Sequence, residues 1–323
     1  MVSLTAPPSM TNRPRLRRAC LAVPGSSSRM LEKARTITVD QVVIDLEDAV
    51  ATDAKAEARR ATIEALAAPD WVAATRSVRV NAVDTPWTFR DLEATVTSGA
   101  PPHTVVLPKA QEPGDVTFAD RLLTQLEQEC GLPPGSVGLE LQIETATGLA
   151  ELATLVMSSP RLEAILLGPG DLAAALMLPE TTIGDVQPGY PGDSWHHVRA
   201  TLAIQARRAG LQVVDGPYVK LNDEEGLRRT ASLARAHGFD GKWVIHPEQI
   251  DPVNETFGTT QADVDRAGRI VDAYEAAIAT GTGAIALDGE MIDEATIRLA
   301  RLSLARGLAQ GLVPDARGPS APE

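Results

Sequence analysis

GLELQIETATGLAELATLVMSSPRLEAILLGPGD (residues 138–171) reads as a strand, a helix and a second strand that ends in a Gly-Pro-Gly turn and an acid. GLELQIE (138–144) and EAILLG (163–168) are short, nearly continuous apolar runs. That is the pattern of parallel strands covered on both faces. Between them, TGLAELATLVMSS (147–159) repeats its apolar residues at spacings of three and four, as a helix with one buried face does.

The same unit extends in both directions. Upstream lie ACLAV (19–23), QVVIDL (41–46), SVRVNA (77–82) and TVVLPK (104–109), and downstream lie LQVVDG (211–216) and KWVIHP (242–247). Helical patterns separate them, among them MLEKARTI (30–37), AEARRATIEALAA (56–68), DVTFADRLLTQLEQE (115–129), HHVRATLAIQARRAG (196–210) and EEGLRRTASLARAHG (224–238). Eight such units in under about 250 residues predict an α/β fold of the (β/α)8 TIM-barrel type. The competing architecture, an open doubly wound sheet, usually carries a glycine-rich phosphate loop after its first strand. VPGSSSRM (23–30) has no G-x-G-x-x-G.

Beyond the eighth strand come a helical pattern near Gln261–Ala279, the hinge GTG (281–283), the segment AIALDGEMID (284–293) and a last helical pattern near Glu294–Gln310. The expected organisation is a disordered tail over 1–14, the barrel over 15–258, a C-terminal helical extension over 259–312 and a disordered tail over 313–323.

Forty-three acidic against 30 basic residues give a formal charge of −13, which argues against a nucleic-acid partner. An anionic substrate would need a local basic pocket, because the global field repels it. Cys20 and Cys130 are the only cysteines. Two so widely separated make neither a disulfide framework nor a zinc signature, so a reducing compartment, the cytoplasm, is expected. No apolar run approaches the roughly 20 residues that span a membrane.

A barrel carries its chemistry at the carboxyl ends of its strands. The second strand ends in Asp45, Glu47 and Asp48, the third carries Arg79 and Asn81, and the fourth ends in Lys109. The fifth ends in Gln142, Glu144 and Thr145, the sixth runs into Asp171, the seventh ends in Asp215 and the eighth carries Lys242 and His246. Charged groups in apolar strands are expensive unless paired or metal-bound. Glu144 and Asp171, on adjacent strand ends, suit Mg²⁺, which keeps much of its water and takes one or two carboxylates. Read singly, each could instead cap or start a helix. Arg79 could simply pair with Asp45 or Glu47, and Lys109 and Lys242 with other acids at the mouth. His103, His196, His197 and His237 read as solvated, and the four tryptophans as packing.

The motifs RRACLAVPG (17–25), VVIDLEDAV (42–50), VRVNAVDTPW (78–87), VVLPKAQ (105–111), IETATG (143–148), LLGPGDLAA (166–174), GFDGKWVIHPEQI (238–250) and GAIALDGEMID (283–293) resemble, in order, those of the citrate lyase β-subunit-like family, which includes malyl-CoA lyases. The resemblance covers about residues 17–305. It implies a Mg²⁺-dependent (or Mn²⁺-dependent) lyase that splits a hydroxyacyl-CoA thioester into an acyl-CoA and an α-oxo acid. It implies Glu144 and Asp171 as metal ligands and Arg79 as the residue that meets the substrate's oxygens. It places Arg29 and Lys33 on the CoA phosphates, Ile245 and His246 along the acyl-CoA, and Asp293 as catalytic acid/base on a C-terminal lid. Asp45, Glu47, Asp48 and Lys109 support this set. The family tends to form trimers or hexamers, so a homo-oligomer is expected. A malyl-CoA thioesterase, a citryl-CoA lyase subunit and a CoA-independent oxo-acid aldolase are the rival activities on such a scaffold.

Overall fold

The structure, a computed structural model, describes residues 15–179, 182–185 and 193–314. The tails expected at 1–14 and 313–323 lie outside these residues, apart from 313 and 314. The chain divides into two compact units, Met1–Phe257 and Gly258–Glu323.

In the first unit, eight strands form the wall: β1 (Ala19–Pro24), β2 (Gln41–Asp45), β3 (Thr75–Arg79), β4 (Thr104–Leu107), β5 (Gly138–Ile143), β6 (Leu162–Leu167), β7 (Gln212–Asp215) and β8 (Gly241–Val244). They pair in parallel, each with the next, and β1 closes the barrel on β8. The helices are α1 (Ser28–Arg35), α2 (Lys55–Ala67), α3 (Thr88–Val96), α4 (Pro113–Glu129), α5 (Ala146–Ala150), α6 (Leu152–Leu155), α7 (Pro169–Ala175), α8 (His196–Ala209), α9 (Glu224–Ala236) and α10 (Ile250–Phe257). The pattern at 147–159 is thus two short helices that break at Glu151, where ψ is 8°. The third strand stops at Arg79, short of the expected Ala82. The main-chain N–H of Asn81 donates to the Asp91 carboxylate at 3.0 Å instead of to a strand.

The two-residue period of the strands sorts the lumen into layers. Gln41, Val43 and Asp45 share one face of β2, and Glu140, Gln142 and Glu144 share one face of β5 and its extension. At the amino end the buried layer is polar: Glu140 Oε1 accepts from Arg17, from Gln41 at 2.8 Å and from Thr104 at 2.8 Å. In the middle Cys20, Val43, Val106, Leu166, Val214 and Trp243 form a cluster made of strand residues alone. At the carboxyl end stand Asp45, Arg79 and Glu144. A larger apolar cluster fills the space between strands and helices. His103, expected to be solvated, is partly buried and its Nδ1 accepts from Arg76 N at 3.0 Å. Burial, then the Arg15 and Arg76 charges, push its pKa down to about 4.

The second unit contains α11 (Gln261–Ala279), the antiparallel strands β9 (Ile285–Leu287) and β10 (Glu290–Ile292), and α12 (Glu294–Ala309). Thr260 and Asp263 cap α11 reciprocally. Asp288 and Gly289, with φ of 51° and 80°, make the tight hairpin turn. Asp-Gly is the dipeptide such turns favour, because both positions need positive φ. Ala267, Ile270, Tyr274, Ile292, Ile297 and Ala300 form this unit's own core. No described helix is long and apolar enough to cross a membrane.

Candidate active site

Neighbouring strands bring the first pair together. Asp45 and Arg79 end β2 and β3 in register. Arg79 Nε and Nη2 donate to the two Asp45 oxygens at 2.8 and 2.5 Å, a bidentate clamp. Its Nη1 lies 3.0 Å from Glu47 Oε2 and 3.4 Å from Gln142 Oε1. The guanidinium carbon sits 5.4 Å from the Trp243 ring centroid. Burial disfavours its charge, but Asp45, then Glu47 and Glu144, outweigh burial and hold Arg79 above its ordinary pKa. The pairing anticipated for Arg79 is therefore present, and the paired arginine also lines a cavity.

Lys109, just past β4, has φ of 52°. A left-handed backbone at a lysine costs on the order of 1 kcal/mol or more and persists only where surrounding contacts enforce it. Here its N–H donates to Glu144 Oε1 at 3.1 Å. Its ammonium bonds Glu47 at 2.7 Å and Asp48 at 3.3 Å, and lies 3.0 Å from Asp171 Oδ2. Burial is outweighed by Glu47 first, so Lys109 stays charged.

Glu144 does not cap a helix, because Thr145 caps α5. Asp171 does stand in the first turn of α7. Glu144 Oε2 accepts from Gln142 at 2.5 Å. A side chain at Gly168 would meet that oxygen at 2.5 Å, so only glycine lets the GPGD turn pass. Asp171 Oδ2 is buried and, although close to Lys109, has no aligned hydrogen-bond donor. Five carboxylates (Asp45, Glu47, Asp48, Glu144 and Asp171) thus share the mouth with two cations, Arg79 and Lys109. Burial, then Glu47 and Asp171, push Glu144 up to about 8. Among the described residues no group of three or more His, Cys, Asp or Glu makes a closed metal cage. Two hard oxygen ligands with surplus negative charge and an undonated oxygen fit Mg²⁺, which fills its remaining positions with water and substrate.

This predicts a pH dependence. Without metal the folded protein keeps a proton on Glu144 that the unfolded chain has lost, so stability falls as pH rises from 4.5 to about 8. A divalent cation with Glu144 as a ligand would take the deprotonated form. The increase in melting temperature on replacing EDTA with Mg²⁺ is expected to grow across that interval. A pH-independent increase would contradict Glu144 as a ligand.

Arg79, Glu144 and Asp171 line a cavity of about 450 Å³, together with Met30, Trp243 and Ile245. Arg29, Lys33, Ile245 and His246 line an adjoining cavity of about 180 Å³, which shares Ala22–Pro24, Met30 and Ile245 with the first. His246 accepts from Glu248 N at 3.3 Å and starts the short turn Pro247–Gln249. Trp243, read as packing, is a lining residue. The alternation in KWVIHP, which puts Trp243 and Ile245 on one face, was the available signal. Asp293, in the second unit, is the N-cap of α12. Its Oδ1 accepts from Ala295 N at 3.0 Å and Thr296 N at 3.0 Å, and from the Thr296 hydroxyl at 3.1 Å. These bonds, Thr296's first, hold its pKa below the ordinary value, so it is a carboxylate at neutral pH.

A closed parallel barrel with an acid-rich, arginine-bearing carboxyl end is the architecture of a metal-assisted TIM-barrel enzyme. The chain belongs to the HpcH/HpaI aldolase/citrate lyase family, whose model matches residues 18–247. It is 37% identical over 308 residues to the L-malyl-CoA/beta-methylmalyl-CoA lyase of Rhodobacter capsulatus, covering 92% of this chain and 96% of the relative. It is 36% identical over 298 residues to the citrate lyase subunit beta of Escherichia coli K12, with 92% and 95% covered. Among solved structures, the protein CitE from Mycobacterium tuberculosis in complex with magnesium, acetoacetate and coenzyme A matches with a TM-score of 0.69 at 28% identity, over 89% of this chain and 97% of that one.

Proposed function

We propose that this chain is a Mg²⁺-dependent carbon–carbon lyase that cleaves a malyl-CoA- or citramalyl-CoA-like thioester into an acyl-CoA and an α-oxo acid. The observation that carries this reading is the junction of the two cavities. One holds Arg79, Glu144 and Asp171; the other, joined to it, presents Arg29 and Lys33. A thioester whose acyl end is anionic and whose far end carries phosphates matches that distribution of charge. In a chain of net charge −13, Arg29 and Lys33 are the local cations that attract the phosphates, and an anionic acyl end is accommodated once a divalent cation on Glu144 and Asp171 offsets the surplus carboxylates.

Cleavage requires the β-hydroxyl proton to leave, the bond between the second and third acyl carbons to break, and its electron pair to reach the thioester oxygen. A divalent cation held by Glu144 and Asp171 supplies Lewis-acid polarisation of the oxygen that becomes the oxo group, and Mn²⁺ suits the same ligands. Arg79 keeps Nε and Nη2 on Asp45, so Nη1 is the end that exchanges its Glu47 and Gln142 contacts for a substrate oxygen. Its fixed charge stabilises negative charge that develops there. Lys109 offsets the charge of Glu47 and Asp48 beside that space. Asp293 accepts the hydroxyl proton and returns one to the departing acyl-CoA carbon. The C-terminal unit serves as the lid, in a cytoplasmic homotrimer or hexamer whose neighbouring subunit delivers Asp293.

Asp293→Asn is expected to lower kcat by about 10²–10⁴. Asparagine caps helices as well as aspartate does, so the melting temperature should stay within about 2 °C. An active Asp293→Asn enzyme would remove this residue from the chemistry. Activity should also fall on dilution below the assembly constant, and full activity in a proven monomer would refute delivery between subunits. The substrate is settled by offering malyl-CoA, citramalyl-CoA and citryl-CoA with Mg²⁺. Release of glyoxylate, pyruvate or oxaloacetate names it. Turnover of free oxo-acid aldols alone would instead indicate a CoA-independent aldolase.

A further inference from the structure

Lys55, in the first turn of α2, is buried, and nothing in the chemistry above uses it. Its ammonium donates to the main-chain carbonyls of Leu46 and Glu47 at 2.9 and 2.7 Å and lies 5.5 Å from the centre of the Trp87 ring. The surroundings oppose its charge by desolvation, which lowers its pKa, while Asp45 and then Glu47 favour it. A buried ammonium is costly, and two carbonyls could be satisfied more cheaply by main-chain N–H groups. The residues it grips are what distinguish this lysine. The segment 45–49 after β2 is tied on its other side as well. Glu47 N and Ala49 N donate to the Asp45 carboxylate at 2.8 and 3.2 Å, and Leu46 N donates to Arg79 O at 2.9 Å. From this segment project Asp45, which clamps Arg79, and Glu47, which touches both Arg79 and Lys109. Lys109 in turn supplies the N–H that holds Glu144.

We propose that Lys55 is a positioning residue of the active site: by pinning the Leu46 and Glu47 carbonyls from behind, it fixes the Glu47 carboxylate between Arg79 and Lys109. The assignment rests on the lyase reading only for its effect on turnover. Methionine at this position keeps the length of the side chain and removes all three donors. Glutamine keeps donors and removes the charge.

Lys55→Met and Lys55→Gln are tested by kinetics and by crystallography. A residue that positions another in a catalytic shell is typically worth 10- to 100-fold in activity. In Lys55→Met, kcat is expected to fall by about that factor, with KM for the acyl-CoA within about twofold, because the Arg29 and Lys33 cavity is untouched. Lys55→Gln should recover part of the loss. The crystal structure of Lys55→Met should show the 46–49 segment displaced and the Glu47–Lys109 contact, 2.7 Å in the native protein, broken. Wild-type turnover in a folded Lys55→Met variant, or an unmoved Glu47–Lys109 contact, overturns the assignment. If Lys55→Met does not fold, the same two criteria apply to Lys55→Leu, which likewise has no donor. Absence of lyase turnover in the wild type would sink the proposed reaction alone, and the crystallographic comparison would still decide whether Lys55 places Glu47.

Discussion

Arg79→Lys lowers kcat by about 10²–10³ in the expected result, the usual loss on removing one preorganised electrostatic stabiliser. The size of the effect follows from geometry. Arginine spends two donors on Asp45 in a planar fork, and its Nη1, beside Glu47 and Gln142, is the one end that can exchange a partner for a substrate oxygen. A lysine ammonium carries the same charge but no fork, so it can follow Asp45 or the substrate and not both in fixed register. The Asp45 carboxylate, 3% exposed, would lose a partner it cannot replace with water. A melting temperature lowered by a few degrees should accompany the kinetic loss, since Asp45 exchanges a bidentate partner for a single ammonium beside its two main-chain donors. Thermal melts and steady-state kinetics on one preparation separate the two effects. A variant that melts lower yet keeps native kcat would show Arg79 to be a strut between strands and nothing more.

Asp171→Ala should have the largest effect of all, with turnover reduced about 10³-fold or beyond. That corresponds to the several kcal/mol a Lewis-acid metal contributes. Asp171 is half-exposed, so its removal leaves no uncompensated buried charge. Lys109 retains Glu47 and Asp48, and the barrel should fold as before. The diagnostic is Mg²⁺ itself. Wild type should show calorimetric Mg²⁺ binding and a Mg²⁺-induced rise in melting temperature, and the variant should show neither. Retained Mg²⁺ binding would move the metal away from the Glu144–Asp171 pair.

Much of this is legible in the sequence because polar residues that end apolar strand runs stand out. An apolar run such as QVVIDL marks a strand, and in a barrel the polar residues at its carboxyl end become the mouth. Asp45, Arg79, Lys109, Glu144 and Asp171 were found in this way, and the structure brings all five together. Single-residue odds between capping and metal binding were undecidable for Glu144, because the cap depends on whether Thr145 or Glu144 turns back onto the helix. In the structure Thr145 makes the cap. Lys55 left no signal, since a lysine at the start of an amphipathic helix normally points to solvent. Its burial comes from the path of the segment 45–49, a tertiary fact. The left-handed backbone at Lys109 was invisible for a similar reason: no glycine or asparagine marks it. The hairpin in the C-terminal unit did carry its mark, Asp288–Gly289, but three-residue strands are too short for alternation to stand out.

Which bond breaks is tested by incubating malyl-CoA with the protein and Mg²⁺ and separating the CoA species by chromatography, beside Asp171→Ala. Carbon–carbon cleavage gives acetyl-CoA and glyoxylate in equal amounts from the wild type, and unchanged malyl-CoA with the variant. Free CoA with intact malate would contradict it, placing hydrolysis of the thioester where cleavage of the carbon chain is proposed.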